Sequence, residues 1–359
     1  MTISKQAETR ADWVDYAKGI GIILVVYGHL LSSAYHAGLN IPSDFFAYSD
    51  SIIYSFHMPL FFFLSGLFVE SSFRKRGAKS YLLDKFTRIA YPYFLWSILQ
   101  VGIEVIFSSQ TQKGTGLENL LAIPYRPWGQ FWFIYALFLM HIVYTAAAPL
   151  GKFSAPVLFI IAIGMFIRPF PTAMFALLGF SGHFLFFVSG VYLRKFLIDQ
   201  EHTVPAWTVP ILFILLAGSG YYLFSRVIEP VRLIGKPYPQ YFLFLSTLGI
   251  SACVGLAQYL SGKKMLGFLS VLGAYSLQIY LVHMLAGVAT RMILVQLFNI
   301  QNWIIHIFAG VAAALIIPVL LQKISIQIKF PYLFELKRDN AVVPGQLSAS
   351  STLPEHDRK

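Results

Sequence analysis

The residues that could do chemistry here are ionisable groups set into apolar sequence. The stretch from Asp15 to His29 carries Asp15, Lys18 and His29 in an otherwise largely apolar run. At about 100° per residue, Lys18 and His29 fall on nearly the same face of a helix, and Asp15 sits one turn below Lys18. Three further histidines, His57, His183 and His283, lie in separate apolar runs. Imidazole titrates near neutral pH, so such groups suit proton transfer in a site shielded from water. No HxxxH or carboxylate–histidine pairing occurs at ligand spacing, so no metal is expected. A second chemistry is signalled by Arg74, Lys75, Arg76, Lys79, Lys85 and Arg88. Arg88 enters an apolar run just before Pro92, where a guanidinium can fork onto phosphate at a membrane surface. The plain alternatives are an interfacial Asp15–Lys18 ion pair, packing histidines and basic residues that only enforce topology.

These side chains need a membrane-spanning frame. The chain has 359 residues, 57% hydrophobic and only 12% charged, about half the charge of a soluble domain. Apolar runs long enough to cross ~30 Å of hydrocarbon recur from end to end. They predict an all-α polytopic bundle of ten spans near 13–35, 46–70, 83–107, 129–149, 154–168, 176–193, 205–225, 241–261, 267–290 and 303–322. The first run has polar residues embedded in it and more spans after it, so it reads as a retained helix and not a cleaved leader. With the N-terminus inside, 20 of the 27 Lys and Arg fall on the cytoplasmic side and 7 outside, which places both termini in the cytoplasm. The expected organisation is a cytoplasmic segment 1–12, a membrane domain 13–325 and a mostly disordered tail 326–359.

In this topology His29, about 24 Å along its helix from Trp13, shares the outer half of the bilayer with His57, His183 and His283. Ionisable groups at that depth face the bundle interior or a wet cavity. Pro59 should free a backbone carbonyl that a neighbour must satisfy, and Ser65-Gly66 should admit a closely packed helix. The net charge of +11 is explained by cytoplasmic loops, so no nucleic-acid partner is expected. The single Cys253 excludes an intramolecular disulfide and any CxxC site.

Five fragments in order, Asp15-Tyr16-Ala17-Lys18-Gly19 through Gly28-His29, Phe56-His57-Met58-Pro59-Leu60 through Gly66, Arg88 to Pro92, Trp128 to Phe138, and Tyr275 to His283, resemble acyltransferase family 3 of membrane enzymes. The match is closest to its branch resembling fucose 4-O-acetylases. The resemblance covers residues 12 to about 325. It implies some ten helices in a bacterial plasma (inner) membrane, with acyl-CoA, usually acetyl-CoA, as co-substrate and no permanently bound cofactor. The implied acceptor is a sugar hydroxyl on a surface glycan or its lipid-linked precursor. Many members carry Arg where this chain has Lys18, so the charge survives without the bidentate fork. On this reading His29 is the general base, and His57, Tyr27 and Tyr280 compete to orient it. Arg88, Lys85, Arg74 and Arg76 hold the CoA phosphates, while Trp132, Tyr280, His283 and His183 line an acyl or acceptor path. The rival reading is a transporter or flippase of a lipid-linked sugar that uses the same buried charges.

Overall fold

The computed structural model describes residues 12–106, 116–170, 172, 174–230, 232–233 and 238–336. The N-terminal segment up to residue 11 and the tail beyond 336 lie outside the described residues. Among those described, the chain is helical throughout and contains no strand. Nine of its helices are long and apolar enough to cross a membrane, which makes it a polytopic helical membrane bundle.

The helix α1 (Asp12–His36) stands at the centre and packs against six other helices. The second expected span is three pieces, α2 (Ser43–Tyr54), α3 (His57–Gly66) and α4 (Val69–Arg76). Its break falls at Ser55-Phe56, immediately before His57. Pro59 then occupies the first turn of α3, where a missing N–H costs least. The carbonyl that Pro59 leaves without a helical partner is that of Ser55. It accepts a 2.6 Å hydrogen bond from the Ser246 hydroxyl, so the freed group is satisfied by a neighbouring helix, as expected.

The third span begins with α5 (Ala78–Lys85), widens into a π turn over Phe86–Ala90 and continues as α6 (Tyr91–Ile106). Pro92 cannot bond back to Arg88, and the π turn absorbs that defect. After a short α7 (Glu118–Ala122), the expected fourth and fifth spans form one 39-residue stretch, Gly129–Ile167. It contains α8 (Trp132–Ala147) and α9 (Ser154–Ile167), separated at Gly151, whose φ of 56° leaves the helical region. That single stretch accounts for nine helices where ten spans were expected.

The remaining elements are α10 (Phe175–Arg194), α11 (Thr208–Tyr222), α12 (Pro239–Gly262), α13 (Phe268–Ala274), α14 (Ser276–Gln296) and α15 (Trp303–Gln327). The expected span 267–290 is therefore split at Tyr275. The short α13 lies backbone to backbone against the start of α1. A Cβ at Gly19 would strike the Leu269 carbonyl, and one at Gly273 would strike the Asp15 carbonyl. Gly66 and Gly190 make the same close contact between α3 and α10, so Ser65-Gly66 does admit a neighbouring helix.

Candidate functional site

The four histidines assigned to one depth come from α1, α3, α10 and α14 and converge. The rings of His29 and His283 are 5.1 Å apart. His183 lies 5.4 Å from Trp132, and His57 lies 4.6 Å from Tyr54. A cavity of about 280 Å³ is lined by His29, Tyr54, Gln130, Trp132, His183 and Arg232, among others. His57 and His283 form a second layer, wholly buried behind Tyr54 and His29.

Local hydrogen bonds fix the tautomers of three of these rings. His57 Nδ1–H donates to the Ile53 carbonyl at 2.7 Å, and His183 Nδ1–H donates to that of Gly179 at 2.8 Å. His283 Nδ1–H donates to the Tyr280 carbonyl at 2.7 Å. Each therefore presents a lone pair at Nε2. For His57 and His283 that atom has no hydrogen-bond partner among the described residues. His29 differs. Its Nδ1 lies 3.4 Å from the Tyr54 hydroxyl, a long bond of the kind that tightens when a site fills. None of the three candidates named to orient it does so. His57 is turned to Ile53, Tyr280 donates its hydroxyl to the Gln130 carbonyl, and Tyr27 engages Ser49.

Tyr54 was hidden in the sequence, one of 20 tyrosines. Two more residues of the site were also missed. Arg232 forks onto Asp50 with bonds of 2.8 and 2.7 Å, and its guanidinium lies 3.6 Å over the Tyr54 ring. Burial opposes the Arg232 charge, but the Asp50 hydrogen bonds and carboxylate overcome it and hold the guanidinium pKa above its ordinary value. A signal for Asp50 did exist, since a carboxylate in an apolar span requires a partner. Nothing in the sequence pointed to a partner 182 positions away.

The charged stripe on α1 falls at the other end of the bundle. Lys18 Nζ donates to Asp15 Oδ1 at 3.0 Å. Lys18 also lines a second cavity of about 170 Å³ with Met58, Ser65, Ile89, Ser276 and Tyr280. Met58 lines both cavities, so its side chain stands between the Lys18 space and the His29 space.

The basic residues gather only in part. Arg76, Lys85 and Arg88 surround Asp84 at 3.7, 3.9 and 2.9 Å. Arg88 also reaches Glu335 at 3.0 Å. That segment is tied down by Tyr91, whose hydroxyl donates to the Tyr332 carbonyl, and by Trp96, whose Nε1–H donates to that of Leu333. Arg74 stands apart, paired with Glu70 at 2.5 Å. Among the described residues, no group of three or more His, Cys, Asp or Glu side chains could hold a metal ion.

An acyltransferase domain model matches residues 11–323. Two curated relatives are each called nodulation protein NolL. The one from Sinorhizobium fredii is 25% identical over 235 residues, covering 63% of this chain and 62% of the relative. The one from Mesorhizobium japonicum is 25% identical over 213 residues, covering 58% of this chain and 54% of the relative. The chain thus aligns with less than two thirds of either relative's length. No solved structure matches. With a family model covering nearly the whole helical bundle, the chain belongs to the acyltransferase family 3 of membrane proteins.

Proposed function

We propose that this acyltransferase moves an acyl group, acetyl in the first instance, from acyl-CoA to a sugar hydroxyl of a cell-surface glycan or its lipid-linked precursor. The observation that carries this reading is the pair of cavities meeting at Met58, one reaching Lys18 and the other His29. Lys18 and His29 are about 16 Å apart along α1 by helical rise. A donor held at the basic end, facing the cytoplasm on the positive-inside rule, can extend its thioester toward the histidine end. The acceptor enters there from the opposite side. Trp132, Phe175 and Tyr54 supply flat apolar faces for a sugar ring, and Gln130 and His183 supply polar edges.

In the reaction, the sugar hydroxyl oxygen attacks the thioester carbonyl carbon while its proton passes to His29 Nε2. The C–S bond then breaks and CoA leaves as the thiolate, which takes up the proton held by His29 and returns the imidazole to its neutral form. With Nδ1–H donating to the Tyr54 oxygen, His29 keeps its Nε2 lone pair for this task. Arg88, Lys85 and Arg76 receive the CoA phosphates by drawing charge away from Asp84 and Glu335. Arg74 contributes from farther along the same face, and Lys18 acts as a point charge at the cavity mouth. His283 and His57 back the site, and Tyr280 borders the donor passage.

The test is release of CoA thiol from acetyl-CoA by the purified protein in nanodiscs, with a membrane glycolipid extract as acceptor. Wild type should release thiol, and Met58→Trp, which fills the junction of the two cavities, should lower the rate by about 100-fold. Equal rates in the two proteins would show that the acyl group does not pass Met58. Absence of thiol release with every glycolipid extract would favour a transporter.

A further inference from the structure

Arg232 and Asp50 lie far apart in sequence, yet they meet at the wall of the histidine cavity. Asp50 is only 8% exposed, and a carboxylate so placed within a span requires a partner. The partner chosen is a guanidinium from the segment between α11 and α12, gripped by both carboxylate oxygens at 2.7 and 2.8 Å. This grip fixes the plane of the guanidinium and sets its Cζ 3.6 Å above the ring of Tyr54. The Tyr54 ring is held edge-on to His57 as well, at 4.6 Å and 87°. Its hydroxyl is thereby aimed at His29 Nδ1, 3.4 Å away. Every link from the carboxylate to the imidazole is a direct contact, and the chain crosses α2, the α11–α12 segment and α1.

We propose that Asp50 and Arg232 are positioning residues for His29, acting through Tyr54. The ion pair locks the phenol where it holds the imidazole with its Nε2 lone pair facing the substrates. A simple fastener would serve equally well elsewhere on the bundle. This one places its cation over Tyr54, the side chain that hydrogen-bonds His29 Nδ1 among the described residues, and the guanidinium lines the same cavity. Asp50 also offsets part of the Arg232 charge at the cavity wall. The inference rests on the reading of His29 as general base.

The experiment measures acetyl transfer from radiolabelled acetyl-CoA to a membrane glycolipid extract in nanodiscs. It compares wild type, His29→Ala, Tyr54→Phe, Asp50→Asn, Arg232→Lys and the Tyr54→Phe/Arg232→Lys double variant, each confirmed as folded by elution profile and thermal unfolding. Arg232→Lys keeps the charge and loses the fork. It and Asp50→Asn should each lower kcat about tenfold, the scale of one lost hydrogen bond, with KM for acetyl-CoA unchanged. In the double variant, Arg232→Lys should add little to Tyr54→Phe, because both act on one hydroxyl. Wild-type kcat in Arg232→Lys and Asp50→Asn, in a protein inactivated by His29→Ala, would overturn the proposal and leave His29 as base. Losses that multiply in the double variant would overturn it too, by showing that Arg232 acts independently of Tyr54. Full activity in His29→Ala would instead remove the reading on which the proposal stands.

Discussion

At the scale of single residues, the site is a histidine whose neighbours decide what it can do. His57, His183 and His283 each spend Nδ1–H on a carbonyl of their own helix, which leaves His29 as the ring whose Nδ1 meets another side chain. Replacing His29 by Ala should lower acyl transfer by about 10²–10⁴-fold, the usual contribution of a positioned general base, measured as label transferred per folded protein. Tyr54→Phe should cost about tenfold in kcat, since it removes one orienting hydrogen bond. The histidines were legible in the sequence because an ionisable ring in an apolar span is rare enough to stand out. Tyr54 and Arg232 were not. A tyrosine is unremarkable in a chain that is 16% aromatic, and an arginine in a loop declares nothing until its carboxylate partner is seen.

Secondary elements bring these side chains to one place through close helix contacts and one deliberate break. The interruption at Ser55-Phe56 lets Tyr54 end α2 while His57 begins α3, so the two rings meet edge to face. Periodicity alone read the whole of 46–70 as a single span, because both halves are apolar and Pro59 drew attention past the actual break. The split at Tyr275 escaped for the same reason. Ser246→Ala would leave the Ser55 carbonyl without its donor and should destabilise the bundle by about 1 kcal/mol, seen as a lower unfolding midpoint in detergent. Gly66→Leu would force α3 and α10 apart, at a cost of about 1–3 kcal/mol. An unchanged midpoint in that variant would show that the contact does not hold the two helices together.

Across the whole molecule, the Lys18 cavity lies toward one end of the bundle and the His29 cavity toward the other, with Met58 lining both. The class of fold was legible from composition and run length, since few apolar sequences of this pattern can do anything but span a membrane. The order of the charges along α1 was legible too. The meeting of two cavities at one methionine was not, because it depends on how α1, α3, α8 and α14 pack together. The sequence marks Arg88 as a candidate for phosphate, but its ion pair with Glu335 joins residues 247 positions apart. Glu335→Gln should release one of the two carboxylates that hold that guanidinium, Asp84 being the other, and lower KM for acetyl-CoA about threefold while leaving kcat unchanged, as read from initial rates at varied donor.

The most direct measurement is transfer of radiolabelled acetyl from acetyl-CoA to a membrane glycolipid extract by wild type and His29→Ala, side by side in nanodiscs. Labelled glycolipid and stoichiometric free CoA from wild type, with neither from a folded His29→Ala, is the predicted result. Equal labelling by both proteins would contradict the account, because acyl transfer would then proceed without the base at its centre.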